Sequence, residues 1–287
     1  MRGSLLMVAA MAGFAIEDVL IKQLKGTLPI GEVILLLGCC GCLVFSVAAS
    51  LSGSSVFVRE ALSRAVVVRN LCEAVGSVAF IMALALTPLS SASAILQATP
   101  LAITLGAALL LGERVGWRRW SAIGVGFIGV LLVIQPGMAG FTPASLLAVA
   151  AVLLLGFRDL SIRSVPPQVG SVQLAAWGFF ALVPGGIVTL LVLDETPVMM
   201  SAPDLLRLAA AVVMGCLGYY ALIAATRTGE VSAVVPFRYT RLVFALVLAY
   251  MVFGERPDAL MLTGTALIVG TGLYTIWRTA VRRRPAR

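Results

Sequence analysis

Residues 4–24 read SLLMVAAMAGFAIEDVLIKQL, and residues 145–165 read SLLAVAAVLLLGFRDLSIRSV. Laid side by side without a gap they share Ser4/Ser145, Leu5/Leu146, Leu6/Leu147, Val8/Val149, Ala9/Ala150, Ala10/Ala151, Asp18/Asp159 and Ile21/Ile162, with Lys22 facing Arg163. The offset is 145 − 4 = 141 residues. Further along, Gly112-Glu113-Arg114 recurs as Gly254-Glu255-Arg256, an offset of 254 − 112 = 142. At that second offset Gly76/Gly218, Ala79/Ala221, Ile81/Ile223, Ala83/Ala225, Ser90/Ser232 and Ala107/Ala249 also coincide. The chain is a duplication, and its halves part at the turn-rich stretch QPGMAG, residues 135–140. The two units are residues 1–137 and 141–287.

Composition says what each unit is. Of 287 residues 60% are hydrophobic and 12% charged, with a mean hydropathy of +1.05. A soluble domain is roughly half apolar and about a quarter charged. A helix that crosses a bilayer needs about 20 predominantly apolar residues. Ten segments meet that length, at 4–24, 29–51, 66–86, 89–111, 119–136, 143–164, 169–193, 205–226, 231–253 and 259–278. Unbroken apolar runs exclude a membrane barrel, whose strands alternate. The second and seventh segments match poorly, so the halves have diverged unevenly. The expected fold is an all-α polytopic membrane protein of ten transmembrane helices. A duplicated unit with an odd number of spans runs in opposite directions in its two copies. Ten helices then form two inverted five-helix repeats around a central cavity, an arrangement that secondary transporters use for alternating access.

The net charge of +8 belongs to topology and gives no sign of nucleic-acid binding. With the N-terminus inside, one side holds Arg2, Arg59, Arg64, Arg114, Arg118, Arg119, Arg163, Arg227, Arg278, Arg282, Arg283, Arg284 and Arg287. The other holds Lys22, Lys25, Arg207 and Arg256. Both termini are therefore expected in the cytoplasm of a bacterium, with the chain in its inner membrane. The tail Arg282-Arg283-Arg284 suits anionic headgroups. No cleavable leader is evident, since the first apolar segment is long and has a repeat partner. Cys39, Cys40, Cys42, Cys72 and Cys216 all fall within apolar segments and read as packing residues. The chain has no histidine, so no metal site or cofactor is expected.

Ionisable side chains at bilayer depth cost roughly 2.5–3.5 kcal/mol each on insertion scales, so each needs a partner or a wet cavity. Asp18 and Lys22 are four apart, acid first, the favourable helical pairing, and Asp159 and Arg163 repeat it. Arg69 and Glu73 share that spacing, with Glu73 the deeper. Glu17, Arg158, Arg238 and Arg241 lack a local partner. Glu17 and Arg158 hold one repeat position with opposite charge, which structural symmetry does not require. Arg238 and Arg241 lie three apart in the ninth segment beside Phe237 and Tyr239. They either grip a substrate carboxylate or pair with Glu17 and Glu73 to hold helices together. Glu17 suits a substrate ammonium, and Glu17 and Glu73, as carboxyls at depth, are the candidates for proton coupling. Gln97, Trp177, Tyr219 and Tyr239 complete the candidate lining. Pro100, Pro184 and Pro236 sit deep in their segments as candidate hinges. Pro100 and Pro236 are not repeat equivalents, so their helices need not bend alike. Ser121, Gly124, Gly126 and Gly129, with Gly264, Gly270 and Gly272, give small-residue stripes that pack helices within the bundle. The chain is expected to be a monomer or a weak homodimer.

Two stretches carry a resemblance. Residues 88–137, PLSSASAILQATPLAITLGAALLLGERVGWRRWSAIGVGFIGVLLVIQPG, resemble the EamA-type signature of the drug/metabolite transporter superfamily. Residues 229–274, GEVSAVVPFRYTRLVFALVLAYMVFGERPDALMLTGTALIVGTGLY, resemble it too. The resemblance implies ten helices in two inverted repeats and a small-molecule substrate: amino acids and other metabolites, cationic drugs, nucleotide sugars or S-adenosylmethionine. The signature consists mostly of packing and turn residues and assigns no binding residue. Export of aromatic or hydrophobic amino acids is the leading expectation, with uptake of S-adenosylmethionine or efflux of drug cations as alternatives. An integral-membrane enzyme is disfavoured by the lack of histidine and of a nucleophile beside a base. A primary pump is disfavoured by the lack of a phosphate-binding GxxxxGK[ST] loop. A channel would not require an inverted duplication with breakers inside its helices.

Overall fold

The computed structural model describes the chain apart from Met1, Phe57, Leu111, Pro167 and residues 113–115, 139–140, 229–233 and 284–287. Side chains of residues 163, 226–228, 235 and 279–283 are likewise left undescribed. Glu113 and Arg114 of the first Gly-Glu-Arg, Ser232, and the tail residues Arg284 and Arg287 lie outside the described residues. The side chains of Arg163, Arg227, Arg282 and Arg283 do so as well.

Eleven α-helices form among the described residues: α1 (Arg2–Leu24), α2 (Ile30–Leu51), α3 (Arg64–Leu86), α4 (Leu89–Leu96), α5 (Thr99–Leu110), α6 (Trp117–Ile134), α7 (Ser145–Ser161), α8 (Ser171–Val192), α9 (Ala202–Thr228), α10 (Thr240–Phe253) and α11 (Ala259–Arg283). Short 3-10 turns occupy Arg59–Leu62, Ile162–Ser164 and Val235–Tyr239. Nine helical segments are long and apolar enough to cross a membrane, with α4 and α5 together making one of them. The remaining apolar helix, α7, has 17 residues and continues into the turn at Ile162–Ser164. The protein is an all-α polytopic membrane protein. Apolar side chains such as Leu43, Leu109, Leu191 and Met251 stand outward over half exposed, as a lipid-facing surface requires.

Packing follows the duplication. Helix α1 lies on α9 and α10, and α7 lies on α3 and α5; α2 packs on α8, α4 on α10, and α6 on α11. Exchanging the halves leaves this scheme unchanged. Glycines set the close approaches. A methyl on Gly218 would fall 3.2 Å from the Ala10 carbonyl of α1, and one on its repeat partner Gly76 would fall 3.0 Å from Leu155 of α7. Gly129 and Gly264 face each other at the α6–α11 crossing, each within 2.7 Å of the other's carbonyl if given a methyl. Gly126, Gly129, Gly264 and Gly272 of the stripes therefore serve contacts inside the bundle, whereas Gly124 and Gly270 face open space. Gly31 and Gly186 bring α2 and α8 together in the same way, and Pro184 does not interrupt α8, which is helical from Ser171 to Val192. A hinge at Pro184 is not a break in the helix.

The fourth and ninth spans are broken. Helix α4 ends at Leu96, a tight turn covers Gln97 and Ala98, and α5 starts at Thr99. Pro100 explains the break: it has no N–H to give the Leu96 carbonyl, and the Thr99 hydroxyl donates to that carbonyl instead at 2.5 Å. In the ninth span Pro236 opens the 3-10 turn, and α10 begins at Thr240, whose hydroxyl donates to the Phe237 carbonyl at 2.7 Å. Since 239 − 97 = 142, the two breaks fall at equivalent repeat positions although the prolines do not. The breaks differ in form, a two-residue turn in one and a five-residue 3-10 turn in the other, in keeping with the expectation that the two spans need not bend alike. At these matching places the proline lies after the break in the fourth span and within the 3-10 turn in the ninth.

The repeated Gly-Glu-Arg also acquires a task. Glu255 accepts from the backbone N–H of Leu89 (2.7 Å) and of Ser90 (2.9 Å) and from the Ser90 hydroxyl (2.6 Å), so a carboxylate of the second half caps helix α4 of the first. Lys22 lies 3.8 Å from the same carboxylate and donates to the carbonyls of Leu84 and Thr87. At the same end, Asp258 accepts from the Gln135 amide (2.6 Å) and from the Met261 N–H (2.7 Å). The Gln135 hydrogen bond, more than any other cause, holds the Asp258 carboxyl below its ordinary pKa.

Candidate functional site

Between the broken spans and helices α1, α3, α7 and α9, the intramembrane charges form two sets. The first is a chain of alternating sign. The Arg69 guanidinium donates to Glu73 at 2.7 Å, Glu73 accepts from Arg158 at 2.6 Å, Arg158 bonds Asp159 at 2.8 Å, and Asp159 lies 3.8 Å from Arg238. Arg69 is wholly buried and is held further by Asn70 at 2.8 Å and by the Leu174 carbonyl at 3.3 Å. Gly178 leaves it room: a methyl there would sit 3.0 Å from its terminal nitrogen. At the other end the chain loosens. The Arg238 side chain is 36% exposed and its ion pair is the longest, so the last cation is the one open to a ligand.

The second set is the pair Arg241–Asp18. Arg241 grips both carboxylate oxygens, at 2.9 and 2.8 Å, and Asp18 is buried. The guanidinium stacks against Phe14 (5.2 Å) and Phe80 (5.5 Å), a cation–π clamp from α1 and α3. These contacts bear on three expectations. Asp18 pairs with Arg241 rather than Lys22, because its side chain faces α10 while Lys22 reaches the helix end. Asp159 pairs with Arg158 and Arg238, and the expected bridge to Arg163 lies outside the described side chains. Arg238 and Arg241 do pair with carboxylates, but with Asp159 and Asp18 in place of Glu73 and Glu17.

Glu17 is different from all of these. Among the described residues it makes no ion pair and no hydrogen bond, although Asp18 beside it is fully engaged. It is partly buried and faces Gly215 of α9, where a methyl would come within 2.8 Å of its carboxyl carbon. Repeat arithmetic gives this contact a counterpart. Glu17 corresponds to Arg158 (158 − 17 = 141), and Gly215 corresponds to Glu73 (215 − 73 = 142). The bridge Arg158–Glu73 in one half-site is therefore a lone carboxylate against a glycine in the other.

The remaining candidates divide. Gln97 is buried and donates its amide to the Arg238 carbonyl at 3.3 Å, joining the two breaks. Tyr219 packs edge-on against Phe45 and Phe179 and places its hydroxyl 3.5 Å from Arg69. Tyr239 is buried against Gly272, and its hydroxyl has no partner among the described residues. Trp177 is not brought to the charges: its indole N–H donates to the Val56 carbonyl at 3.0 Å and ties down the loop after α2. Sequence reasoning did not single out Gly215, Phe14 or Phe80, which lie against the buried charges, and misassigned Asp18. The repeat offset was the signal that pointed to Gly215.

Broken spans that meet at a set of buried charges, inside a helical bundle with a lipid-facing exterior, define a polytopic membrane protein of the transporter type. The chain belongs to the EamA-like transporter family, whose description matches residues 1–135 and again 142–277. It is 31% identical over 217 residues to a riboflavin transporter of Rhizobium johnstonii, covering 75% of this chain and 70% of that one. It is 26% identical over 211 residues to an S-adenosylmethionine uptake transporter of Rickettsia conorii, covering 74% and 71%. The pseudopaline exporter CntI of Pseudomonas aeruginosa is 28% identical over 281 residues, covering 93% of each chain. A solved crystal structure with 20% identity shares the fold with a TM-score of 0.62 over 99% of both chains.

Proposed function

We infer that this transporter carries a small amphiphilic metabolite with a cationic amine, and that its substrates are amino acids with aromatic or hydrophobic side chains, exported across a bacterial inner membrane. One observation carries the reading: among the described residues Glu17 is a carboxylate at bilayer depth in no ion pair, set against a glycine where the equivalent contact is a closed ion pair. A substrate ammonium completes it. Arg238, one-third exposed, takes the carboxylate, and Tyr219 with Phe14 offers the aromatic surface. The two halves act as inverted repeats, both termini lie in the cytoplasm, and the breaks at Gln97 and Tyr239 flex as the cavity opens to either side. When no substrate is present Glu17 takes a proton, which couples transport to a proton gradient.

Counterflow into proteoliposomes preloaded with mixed amino acids tests this. Saturable accumulation of one amino-acid class is expected, lost in Glu17→Gln and weakened in Arg238→Gln. Accumulation unchanged in Glu17→Gln removes that residue from the site. A second reading is uptake of a nucleoside-like cation such as S-adenosylmethionine. It is favoured by the similarity to the Rickettsia protein, and a bare carboxylate suits a sulfonium equally. Counterflow of labelled S-adenosylmethionine, with no amino-acid signal, selects it.

A further inference from the structure

At the end of the bundle where α6 begins and α11 finishes, a cavity of about 120 Å³ is lined by Gly116, Trp117, Arg118, Arg119 and Arg278. Three guanidinium side chains share this small space, Arg119 with a further interaction of its own, and no carboxylate is among the described lining residues. The Nε of Arg278 is shut away from solvent without an acceptor among the described residues. A buried donor on a cation is unfavourable unless an acceptor meets it, and among guanidinium groups an anion meets it most favourably. Helix α6 adds to the field. Its first turn holds no acidic residue and no side-chain cap, so its free N–H groups and positive end open towards the cavity.

The kind of anion follows from the donors and their setting. Planar guanidinium forks match the paired oxygens of a phosphate. Trp117 is 73% exposed and Trp277 58%, and the Arg118 guanidinium lies 5.4 Å from the centre of the Trp117 ring. Amphipathic rings standing out beside basic side chains are the pattern of helices at headgroup level. Below the cavity, exposed Val125, Phe127 and Ile128 keep the same helix apolar. We propose that this pocket binds the phosphate of an anionic phospholipid, holding α6 and α11 together at the membrane surface. The site is separate from Glu17 and Arg238 and does not depend on the substrate.

Native mass spectrometry of the purified full chain, titrated with phosphatidylglycerol and with phosphatidylcholine, tests it. The wild-type protein is expected to retain phosphatidylglycerol in preference to phosphatidylcholine. That preference should fall about fivefold for each arginine lost in Arg118→Gln and Arg278→Gln, the weight of one basic residue at an anionic surface. Arg118 is exposed, so Arg118→Gln keeps its fold and tests the pocket even if Arg278→Gln does not. Equal retention of the two lipids by the wild type overturns the proposal, as does an undiminished preference in Arg118→Gln. Displacement of phosphatidylglycerol by excess inorganic phosphate as readily as by excess lipid makes this a site for a free anion, and the lipid assignment falls.

Discussion

Two contacts in this bundle occupy equivalent places and are built differently. On one side, α7 meets α3 through Arg158 and Glu73, and the bridge is extended by Arg69 and Asp159 until every charge but the last is matched. On the other, α1 meets α9 through Glu17 and Gly215, and the carboxylate has no ion pair among the described residues. The broken spans repeat the contrast. The fourth brings the neutral Gln97 to its break, while the ninth brings Arg238 and Arg241. A fold with matching packing in its two halves thus has one half-site closed by ion pairs and the other open. On the reading proposed above, the difference separates what holds the bundle together from what binds substrate.

The largest expected effect comes from attacking the closed side. Glu73→Ala removes the carboxylate shared by Arg69 and Arg158 and leaves the buried Arg69 with neutral acceptors only, and breaking such a buried pair costs about 3–5 kcal/mol. Thermal unfolding in detergent should show a large loss for Glu73→Ala and a change within about 0.5 kcal/mol for Glu17→Gln. Equal losses would erase the distinction between the two contacts. Next in size is Arg241 against Arg238. Arg241→Gln leaves the buried Asp18 without its bidentate partner and should lower both stability and the yield of folded protein. Arg238→Gln should spare both and raise the half-saturation concentration in transport. If Arg238→Gln is the more destabilising, the loose end of the chain has been misidentified.

A transplant sharpens the comparison further. Glu17→Arg combined with Gly215→Glu rebuilds the closed bridge on the open side, and should give a folded protein that no longer transports. Retained transport would place the substrate elsewhere. The smallest effect lies outside the membrane. The hydrogen bonds that hold the Asp258 carboxyl below its ordinary pKa of 3.8 stabilise the fold above that pH, and their contribution fades as pH falls through the lower folded value. The melting temperature of Asp258→Asn should therefore approach that of the wild type between pH 5 and pH 3. A gap that widens on acidification would contradict this sign.

Much of the architecture was legible in the sequence because membrane helices declare themselves by length and apolarity. The gapless match of residues 4–24 with 145–165 revealed the duplication for the same local reason. The partners of the buried charges were not legible. A spacing of four residues proposes Asp18 with Lys22, but the true partner, Arg241, is 223 residues away. Only the packing of α1 on α10 brings it near. Proline was similarly ambiguous: its position marks a missing hydrogen bond, whereas the break itself is set by where the next helix restarts. Gly215 stayed silent because a glycine in an apolar helix is ordinary until its repeat equivalent proves to be Glu73.

The two arginines of the ninth span have a consequence for how the protein is made. That span is the least apolar of the membrane-length helices, and each guanidinium opposes its release into lipid by roughly 2.5–3.5 kcal/mol. Asp18 and Asp159, which neutralise Arg241 and Arg238, are synthesised well before it. The first and sixth helices must therefore still stand beside the insertion channel when the ninth emerges, so that assembly is scheduled by order of synthesis. A nascent chain arrested as the ninth span leaves the ribosome should hold α1 and α7 in cross-linking reach of α10. Replacing Asp18 should leave the ninth span stranded on the cytoplasmic side.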